Sequence, residues 1–351
     1  MNATLEFDDS SITVALVGCG GFIGSHLLPE LLERTRWRIF GVDLDSYRIQ
    51  QYLTNDRFDF LCADLADPEV VQRIAQYPVV INLAAICTPG RYMAEAAEVI
   101  RSNYNHPAAL ADACAKNGCW LIHFSTSEIY GKTACDSGAL VEDESEIVLG
   151  PVSASRWSYA TAKLLTERYL AGLPQLKWTV LRPFNFVGPF MDFMPGVDGE
   201  GIPRVLANFS TALVRGETLK LVNGGVARRC FTSIHDAIDF MFRLFAVGGK
   251  PAFSQAFNIG NPDNEVSIAE LAQMMRNVFA KIKDISESDV PGVEEVAGEA
   301  YYGKGYDDSM RRLPSVEKAE DLLNFRAKIP LREALEESLS WFTNYYAPVN
   351  E

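Results

Sequence analysis

A glycine-rich turn near the start of the chain constrains its fold more than any other feature. Apolar, β-prone residues fill the short run Thr13–Val17, and Gly18-Cys19-Gly20-Gly21-Phe22-Ile23-Gly24 follows directly before a helical pattern. Glycines here allow a tight turn, a close approach of the backbone to a pyrophosphate, and a helix whose first N–H groups face the phosphates. The turn therefore predicts a dinucleotide site, although such a turn can also do no more than join a strand to a helix.

An acidic residue at the end of the next β-run indicates which dinucleotide is bound. Asp43 follows Gly24 by 19 residues, where a carboxylate can accept the hydroxyls of the adenosine ribose and disfavour a 2′-phosphate. We therefore predict NAD, and not NADP, as the cofactor. With the ends of the third and fourth strands and a pair described below, the predicted cofactor-binding residues are Gly18, Gly21, Phe22, Ile23, Gly24, Asp43, Asp64, Leu65, Leu83, Ala84, Tyr159 and Lys163.

Alternating β-type runs and helical stretches predict an α/β fold, a doubly wound parallel sheet of the Rossmann type. The expected strands are Thr13–Val17, Trp37–Val42, Asp59–Cys62, Val79–Leu83, Trp120–Ser125 and Trp178–Arg182. Helices are expected to begin near Gly24, Pro68, Ala94 and Tyr159, and to cover Val205–Arg215 and Ser267–Lys283.

A change in the pattern of residues after Pro183 divides the chain into two parts. Residues 12–185 are expected to form most of the cofactor-binding domain, and 186–345 most of a smaller C-terminal lobe that binds the substrate. Exchange of a strand from this lobe back to the first domain is left open. The acidic, glycine-bearing segment Ile285–Gly305 is expected to be a loop over the site or a partly mobile segment.

Charge and composition exclude several classes of partner. Lys and Arg number 32 against 46 Asp and Glu, and the net charge of −14 has the wrong sign for binding nucleic acid or an anionic membrane. An anionic ligand would therefore need a local arginine cluster. No apolar stretch is long enough to span a membrane, and the polar start Met1–Ser11 lacks a signal-peptide pattern, so a cytoplasmic location is expected.

The cysteines indicate neither a metal site nor a disulfide framework. Seven is an odd number, and their spacing does not match that of paired metal ligands. We expect reduced thiols and no metal. The cysteines are Cys19, Cys62, Cys87, Cys114, Cys119, Cys135 and Cys230.

A tyrosine and a lysine four residues apart form a candidate catalytic pair. Tyr159 and Lys163 would lie one helical turn apart on the same face, where the lysine can lower the pKa of the phenol and hold a ribose. Such a pair alone is a weak signal. About 30 residues upstream, however, the run Ser125–Gly131 follows a strand and would bring a hydroxyl beside the tyrosine.

These motifs resemble those of the extended short-chain dehydrogenase/reductases that act on nucleotide sugars, from Val14 to about Ala347. Within that group the chain is similar to UDP-glucuronate decarboxylases, both the decarboxylase domain of the polymyxin-resistance pathway and the UDP-apiose/UDP-xylose synthases. The runs that carry the resemblance are Ser125–Glu128, Arg156–Tyr159, Arg182–Asn185, Arg228–Thr232, Asn258–Asn261 and Tyr301–Tyr306, with Asn82–Pro89 and Met191–Gly196 pointing to the synthases.

The resemblance implies roles for individual residues. It makes Tyr159 the base for hydride transfer, Lys163 its partner and Thr126 the hydroxyl that steadies the sugar O4. Ser127 and Glu128 would act near C5 and C6, and Arg312 would face the substrate carboxylate. Asn185 and Arg229 are implied to hold the UDP diphosphate. The full set of implied substrate-binding residues is Arg156, Asn185, Arg204, Lys220, Arg229, Tyr306 and Arg312.

Two positions separate this chain from its neighbours in the superfamily. The related 4,6-dehydratases carry Asp-Glu where this chain has Ser127-Glu128, so dehydration is not expected. The apiose-forming enzymes have a cysteine in place of Ser127 and another at Cys87, of which this chain keeps only Cys87. Cys87 is therefore either a catalytic thiol or a small buried side chain. Glu128 and Arg312 can also be interpreted without a catalytic role. Glu128 would then be a solvated carboxylate, and Arg312 a surface ion-pair partner.

The expected activity is NAD-dependent oxidation of UDP-glucuronate at C4 followed by decarboxylation, giving UDP-4-ketopentose, UDP-xylose or both, with UDP-apiose left open. A 4-epimerase that retains CO2 is the first alternative, and a non-catalytic NAD-binding protein is the second. The resemblance further implies a homodimer that pairs through the helix carrying Tyr159 and the helix beginning near Ala94.

Overall fold

The computed structural model describes residues 5–133, 138–303 and 306–346. The strands are β1 (Thr13–Val17), β2 (Arg38–Asp43), β3 (Phe58–Cys62), β4 (Val79–Asn82), β5 (Trp120–Phe124), β6 (Lys177–Pro183), β7 (Phe186–Val187), β8 (Leu219–Val222), β9 (Arg228–Cys230), β10 (Thr232–Ser233), β11 (Gln255–Ile259), β12 (Glu265–Ser267), β13 (Val293–Val296) and β14 (Arg311–Arg312). Of the residues and ranges named above, Met1–Thr4, Cys135, Lys304, Gly305 and Ala347 lie outside the described parts.

Helices alternate with these strands as the sequence predicts. They are α1 (Phe22–Arg34), α2 (Pro68–Ile74), α3 (Pro89–Ala94), α4 (Ala96–Ile100), α5 (His106–Asn117), α6 (Ser158–Ala171), α7 (Val205–Arg215), α8 (Ile234–Val247), α9 (Gly249–Ala252), α10 (Ile268–Lys283), α11 (Gly298–Tyr302), α12 (Glu317–Leu323) and α13 (Leu331–Tyr345). In the parts of the chain described above, no helix is both long enough and apolar enough to cross a membrane.

A seven-stranded parallel sheet forms the centre of the fold, in the order β11-β6-β5-β4-β1-β2-β3. The predicted α/β fold with a doubly wound parallel sheet is confirmed, and the six predicted strands match β1 to β6 with end shifts of one residue. The seventh strand, β11, comes from beyond residue 185 and pairs with β6. The division into domains 12–185 and 186–345 remains a prediction.

Alternate residues of the central strands are buried on opposite faces of the sheet. On β1, Val14 and Leu16 belong to one apolar cluster, whereas Ala15 and Val17 belong to another, and all four side chains are 0–2% exposed. Helices therefore cover both faces, which explains why the strands read as continuous apolar runs and not as alternating ones.

The C-terminal part adds smaller sheets that flank the end of the central one. Strand β9 pairs with β12 and with β14, and β8 pairs in parallel with β13. The expectation that Ile285–Gly305 is a loop is wrong in part, since it contains β13 and α11. The strand was missed because Val293–Val296 carries two glutamates and is mostly exposed, so its hydrogen bonds to β8 and not burial define it.

Candidate active site

The glycine-rich turn has the geometry that its sequence predicts. Gly18 has a φ of +83°, which favours glycine, and a Cβ on Gly24 would lie 2.3 Å from the carbonyl oxygen of Gly18. Helix α1 begins at Phe22, and no side chain in the described part of the protein caps its N-terminus. The first N–H groups of α1 thus remain available for an anion.

Asp43 ends β2 beside this turn. Its carboxylate accepts hydrogen bonds from the N–H groups of Gly20 at 2.7 Å and Leu44 at 2.7 Å. Burial raises the pKa of Asp43, and these hydrogen bonds oppose the rise. The position fits a carboxylate that accepts from a ribose placed over the turn.

The other predicted cofactor residues divide into two groups. Phe22, Ile23 and Leu83 line the large cavity at the carboxyl ends of the central strands. Ala84 follows Leu83, and its N–H donates to Asn82. Asp64 and Leu65 are not brought to this cavity: Asp64 accepts from the N–H of Ala66, and Leu65 lines a separate small cavity. Their role toward the adenine end remains a prediction.

Tyr159 and Lys163 lie on one face of α6, and both side chains line the cavity. The Lys163 ammonium is buried and donates to the carbonyl of Phe124, at the end of β5, at 2.8 Å. Burial lowers the pKa of Lys163 to about 8. Burial also raises the pKa of Tyr159, which the Thr126 side chain opposes.

The segment after β5 presents three more predicted residues. Thr126 caps a short turn over Ser127–Tyr130 by accepting the N–H of Glu128 at 3.1 Å. This turn holds Thr126, Ser127 and Glu128 at the cavity wall, with the Thr126 side chain next to Tyr159. One short cap thus places a hydroxyl, a second hydroxyl and a carboxylate on the same surface.

All of the predicted catalytic and substrate-binding residues line this one cavity. The catalytic ones are Cys87, Thr126, Ser127, Glu128, Tyr159, Lys163 and Arg312. The substrate-binding ones are Arg156, Asn185, Arg204, Lys220, Arg229, Tyr306 and Arg312. Because they come from strands and helices spread over nearly 230 residues, their convergence is the main structural support for one active site.

Three arginines and two carboxylates alternate along one side of the cavity. Arg229 contacts Asp308 at 3.0 Å, Asp308 contacts Arg156 at 3.5 Å, Arg156 contacts Glu128 at 2.6 Å, and Glu128 contacts Arg312 at 3.7 Å. We call these five side chains the charge row. Burial would raise the pKa of Glu128, but Arg156 and Arg312 together lower it. Burial would also raise the pKa of Asp308, but Arg229, Arg156 and Arg312 hold it well below its usual range.

Arg312 stands at one end of the charge row and is not a surface residue. Its side chain is 8% exposed, and within the described structure its Nε atom is buried without a hydrogen-bond partner. Burial and the neighbouring Arg229 lower the pKa of Arg312 to about 10, although Glu128 and Asp308 oppose this. The surface alternative for Arg312 is therefore wrong, and the solvated alternative for Glu128 is wrong too, since that side chain is 16% exposed.

The other predicted substrate residues have protein partners of their own. Arg204 pairs with Asp192 at 3.1 Å, and Lys220 pairs with Glu294. The amide of Asn185, a residue with a φ of 39°, donates to the carbonyl of Cys230. Asparagine tolerates this left-handed conformation better than most residues, so the residue type and the backbone bend at the cavity agree.

Sequence reasoning missed Tyr92 and Asp308. Tyr92 is 1% exposed and stacks on Tyr159, with ring centroids 4.8 Å apart and an interplanar angle of 6°. Asp308 lies between Arg156 and Arg229. One sequence signal could have identified Asp308. It lies two residues after Tyr306 and four before Arg312, and both of these are predicted site residues.

Comparison with known proteins agrees with this geometry. The model of the NAD dependent epimerase/dehydratase family matches residues 14–260. The UDP-D-apiose/UDP-D-xylose synthase of Oryza sativa subsp. japonica is 39% identical over 97% of this chain and 92% of its own length. The UDP-D-apiose/UDP-D-xylose synthase 1 of Arabidopsis thaliana is also 39% identical, over 96% and 92%.

A solved structure resembles the fold over almost all of the described chain. The PbgP3 protein from Burkholderia pseudomallei superposes with a TM-score of 0.83 at 29% identity, covering 95% of this chain and 97% of that one. The similarity therefore extends beyond the central sheet to the C-terminal part that carries Arg229 and Arg312.

The electrostatics of Glu128 predict an acid-dependent loss of stability. Its folded-state pKa lies below the ordinary value of 4.5, so its stabilisation is present above that value and is lost as the pH falls through the folded-state pKa. Glu128→Gln is expected to lower the free energy of unfolding by about 1.5–3 kcal/mol at pH 7, as for a charge-assisted hydrogen bond. Urea unfolding at pH 7, 4.5 and 3 measures this.

The difference in free energy of unfolding between the wild type and Glu128→Gln should shrink as the pH falls from 7 to 3. Glu333→Gln, at an exposed position of α13, is the control and should lower the free energy of unfolding at pH 7 by less than Glu128→Gln does. A difference that stays constant over this pH range would contradict the role of the two arginines in holding the Glu128 charge.

Proposed function

Because the chain belongs to the NAD dependent epimerase/dehydratase family, we propose that it oxidises UDP-glucuronate at C4 and then decarboxylates it. The products are UDP-4-ketopentose, UDP-xylose or both, with UDP-apiose as an alternative. The synthases of Oryza sativa and Arabidopsis thaliana, which are 39% identical, support this assignment by name. NAD is the cofactor, and the glycine-rich turn with Asp43 provides a cradle that fits it.

The observation that carries the proposal is the unmatched charge at Arg312. The charge row contains three guanidinium groups and two carboxylates, so it has one positive charge in excess. An excess buried charge is costly, and within the described residues the Nε of Arg312 is the donor of the charge row that is buried without an acceptor. One sugar carboxylate supplies both the charge and the acceptor that this position lacks.

The oxidation step depends on Tyr159, Lys163 and Thr126. NAD, when bound, accepts the hydride from C4. Tyr159 takes the proton of the O4 hydroxyl, and the neighbouring Thr126 hydroxyl holds O4 during this transfer. Lys163, fixed by the carbonyl of Phe124, places a positive charge beside the tyrosine as it loses its proton.

The decarboxylation step follows from the ketone that oxidation creates. The C6 carboxylate is then β to a carbonyl, so the electrons of the C5–C6 bond move onto O4 as CO2 leaves. Tyr159 and Thr126 stabilise the resulting enolate by hydrogen bonds, and a proton then returns to C5. Arg312 orients the carboxylate, and Glu128, between Arg312 and Arg156, lies on the same side of the cavity.

The reaction itself is the first test. Purified protein incubated with UDP-glucuronate and NAD is expected to release CO2 and to form a nucleotide pentose, both measurable by mass spectrometry of the nucleotide sugars and by trapping of the gas. If every product retains its carboxylate, the decarboxylase proposal is wrong, and UDP-galacturonate as the product would identify a 4-epimerase instead.

Arg312→Met is expected to separate the two chemical steps. A charge-assisted contact contributes about 1.5–3 kcal/mol, so its loss should slow CO2 release on the order of tenfold to a hundredfold while C4 oxidation survives in part. Single-turnover measurement of NADH formation and CO2 release distinguishes the steps. Arg311→Met is the control, because that guanidinium pairs with Glu265 away from the cavity. Equal slowing of both steps by less than about twofold would place Arg312 outside the reaction.

The assembly we propose is a homodimer that pairs through α4 and α6. Ile100 on α4 and Leu165 on α6 are 38% and 43% exposed, and apolar side chains at these positions favour contact with a second copy.

Sedimentation is expected to give twice the chain mass of 38.9 kDa. Leu165→Asp should yield the monomer, whereas Leu322→Asp, on the distant helix α12, should not. A wild-type monomer at micromolar concentration would refute this assembly.

We further place the protein in the cytoplasm. The six cysteines in the described residues are all free thiols. A reducing compartment such as the cytoplasm keeps thiols of this kind free.

A further inference from the structure

Asp308 is a carboxylate of the active site to which no role has yet been given. Its Oδ2 lies 3.0 Å from Nη2 of Arg229, and its Oδ1 lies 3.5 Å from Nη2 of Arg156. The N–H of Ser309 donates to Oδ1 at 2.8 Å, and the hydroxyl of Tyr306 lies 3.5 Å from Oδ2. Asp308 thus bridges two arginines and lines the cavity.

The pairing of β9 with β14 brings two arginines together, and Asp308 supplies a negative charge beside them. The parallel register places Arg312 opposite Arg229, so two like charges face each other on neighbouring strands. This proximity is one of the causes that lower the pKa of Arg312. Arg229 makes further hydrogen bonds to the carbonyls of Arg228 and Ser309, at 2.8 Å each, and Asp308 supplies the negative charge it needs.

The arrangement leaves only one arginine of the charge row open. Arg229 is occupied by Asp308, and Arg156 is held between Asp308 and Glu128. Arg312 contacts Glu128 at 3.7 Å, the longest separation in the row, and within the described residues its Nε has no partner. An incoming carboxylate therefore meets two neutralised guanidinium groups and one that still lacks an acceptor.

We propose that Asp308 is a positioning residue that directs the substrate carboxylate to Arg312 by occupying Arg156 and Arg229. The proposal rests on the function proposed above. Without the Asp308 charge, three guanidinium groups would share one glutamate, and the carboxylate could pair with Arg156 or Arg229 as well. Those pairings bind the sugar but turn the C5–C6 bond away from alignment with the ketone, so affinity and decarboxylation would change in opposite directions.

Asp308→Asn tests this because the amide keeps an acceptor for the Ser309 N–H but removes the charge. We expect the dissociation constant for UDP-glucuronate to fall about threefold or more relative to that for UDP-glucose. The ratio of CO2 released to NADH formed in a single turnover should fall about tenfold or more. A merely structural defect would instead weaken binding of both nucleotide sugars and slow both chemical steps together.

Asp307→Asn is the matched control, since the neighbouring carboxylate pairs with Lys132 at 2.8 Å and accepts from the Trp157 indole at 3.1 Å, outside the charge row. It should leave the binding ratio and the CO2 to NADH ratio within twofold of the wild type. Asp308→Glu, which keeps the charge, should recover most of the CO2 release. If Asp308→Asn does not fold, Asp308→Glu still tests the proposal. A CO2 to NADH ratio of Asp308→Glu as low as that of Arg312→Met would overturn it.

The two proposals fail in different ways. If the wild type releases no CO2, the decarboxylase function is wrong, and the Asp308 proposal is then decided by calorimetry alone. In that case Asp308→Asn should strengthen binding of UDP-glucuronate relative to UDP-glucose by about threefold or more. If the two dissociation constants stay unchanged or change by the same factor, or if a folded Asp308→Asn keeps the wild-type CO2 to NADH ratio within twofold, Asp308 does not direct the carboxylate.

Discussion

The parallel pairing of the central strands is the constraint on which the active site depends. Because all seven strands run in one direction, their carboxyl ends meet at one edge of the sheet. The glycine-rich turn follows β1, Thr126 follows β5, and Asn185 follows β6, so residues far apart in sequence arrive at the same cavity. The site is therefore a consequence of topology as much as of any single motif.

A buried ion pair behind the cavity fixes the segment that carries Thr126 and Glu128. Glu167, on α6, accepts two hydrogen bonds from Arg182 on β6, at 2.7 and 3.2 Å, and it also contacts the hydroxyl of Ser125. Arg182 donates in turn to the hydroxyl of Tyr130 at 2.7 Å. Ser125 precedes the short turn Ser127–Tyr130, the catalytic turn, and Tyr130 ends it, so the same helix that presents Tyr159 also holds this turn in place. Rigid support of this kind keeps reacting groups at the required distances.

The sequence predicted those parts of the structure whose signals are local. The strand positions, the turn at Gly18 and the pair Tyr159 and Lys163 each depend on spacing within a few residues, and all were found as expected. The stacking of Tyr92 on Tyr159 and the bridge that Asp308 makes between two arginines depend on the packing of segments far apart in the chain. No periodicity encodes such contacts, and β13 was missed for the related reason that backbone pairing and not burial defines it.

Burial of the catalytic pair has a consequence for how its protons are held. Taken singly, the charged forms of Tyr159 and Lys163 are both disfavoured, since burial raises the pKa of the phenol and lowers that of the ammonium to about 8. Charged together, phenolate and ammonium attract each other in surroundings of low dielectric, which offsets much of the cost of burying each one. Glu167, one turn beyond Lys163, favours the charged lysine, so the ion pair that fixes the catalytic turn also favours the ammonium that Tyr159 needs when it acts as a base.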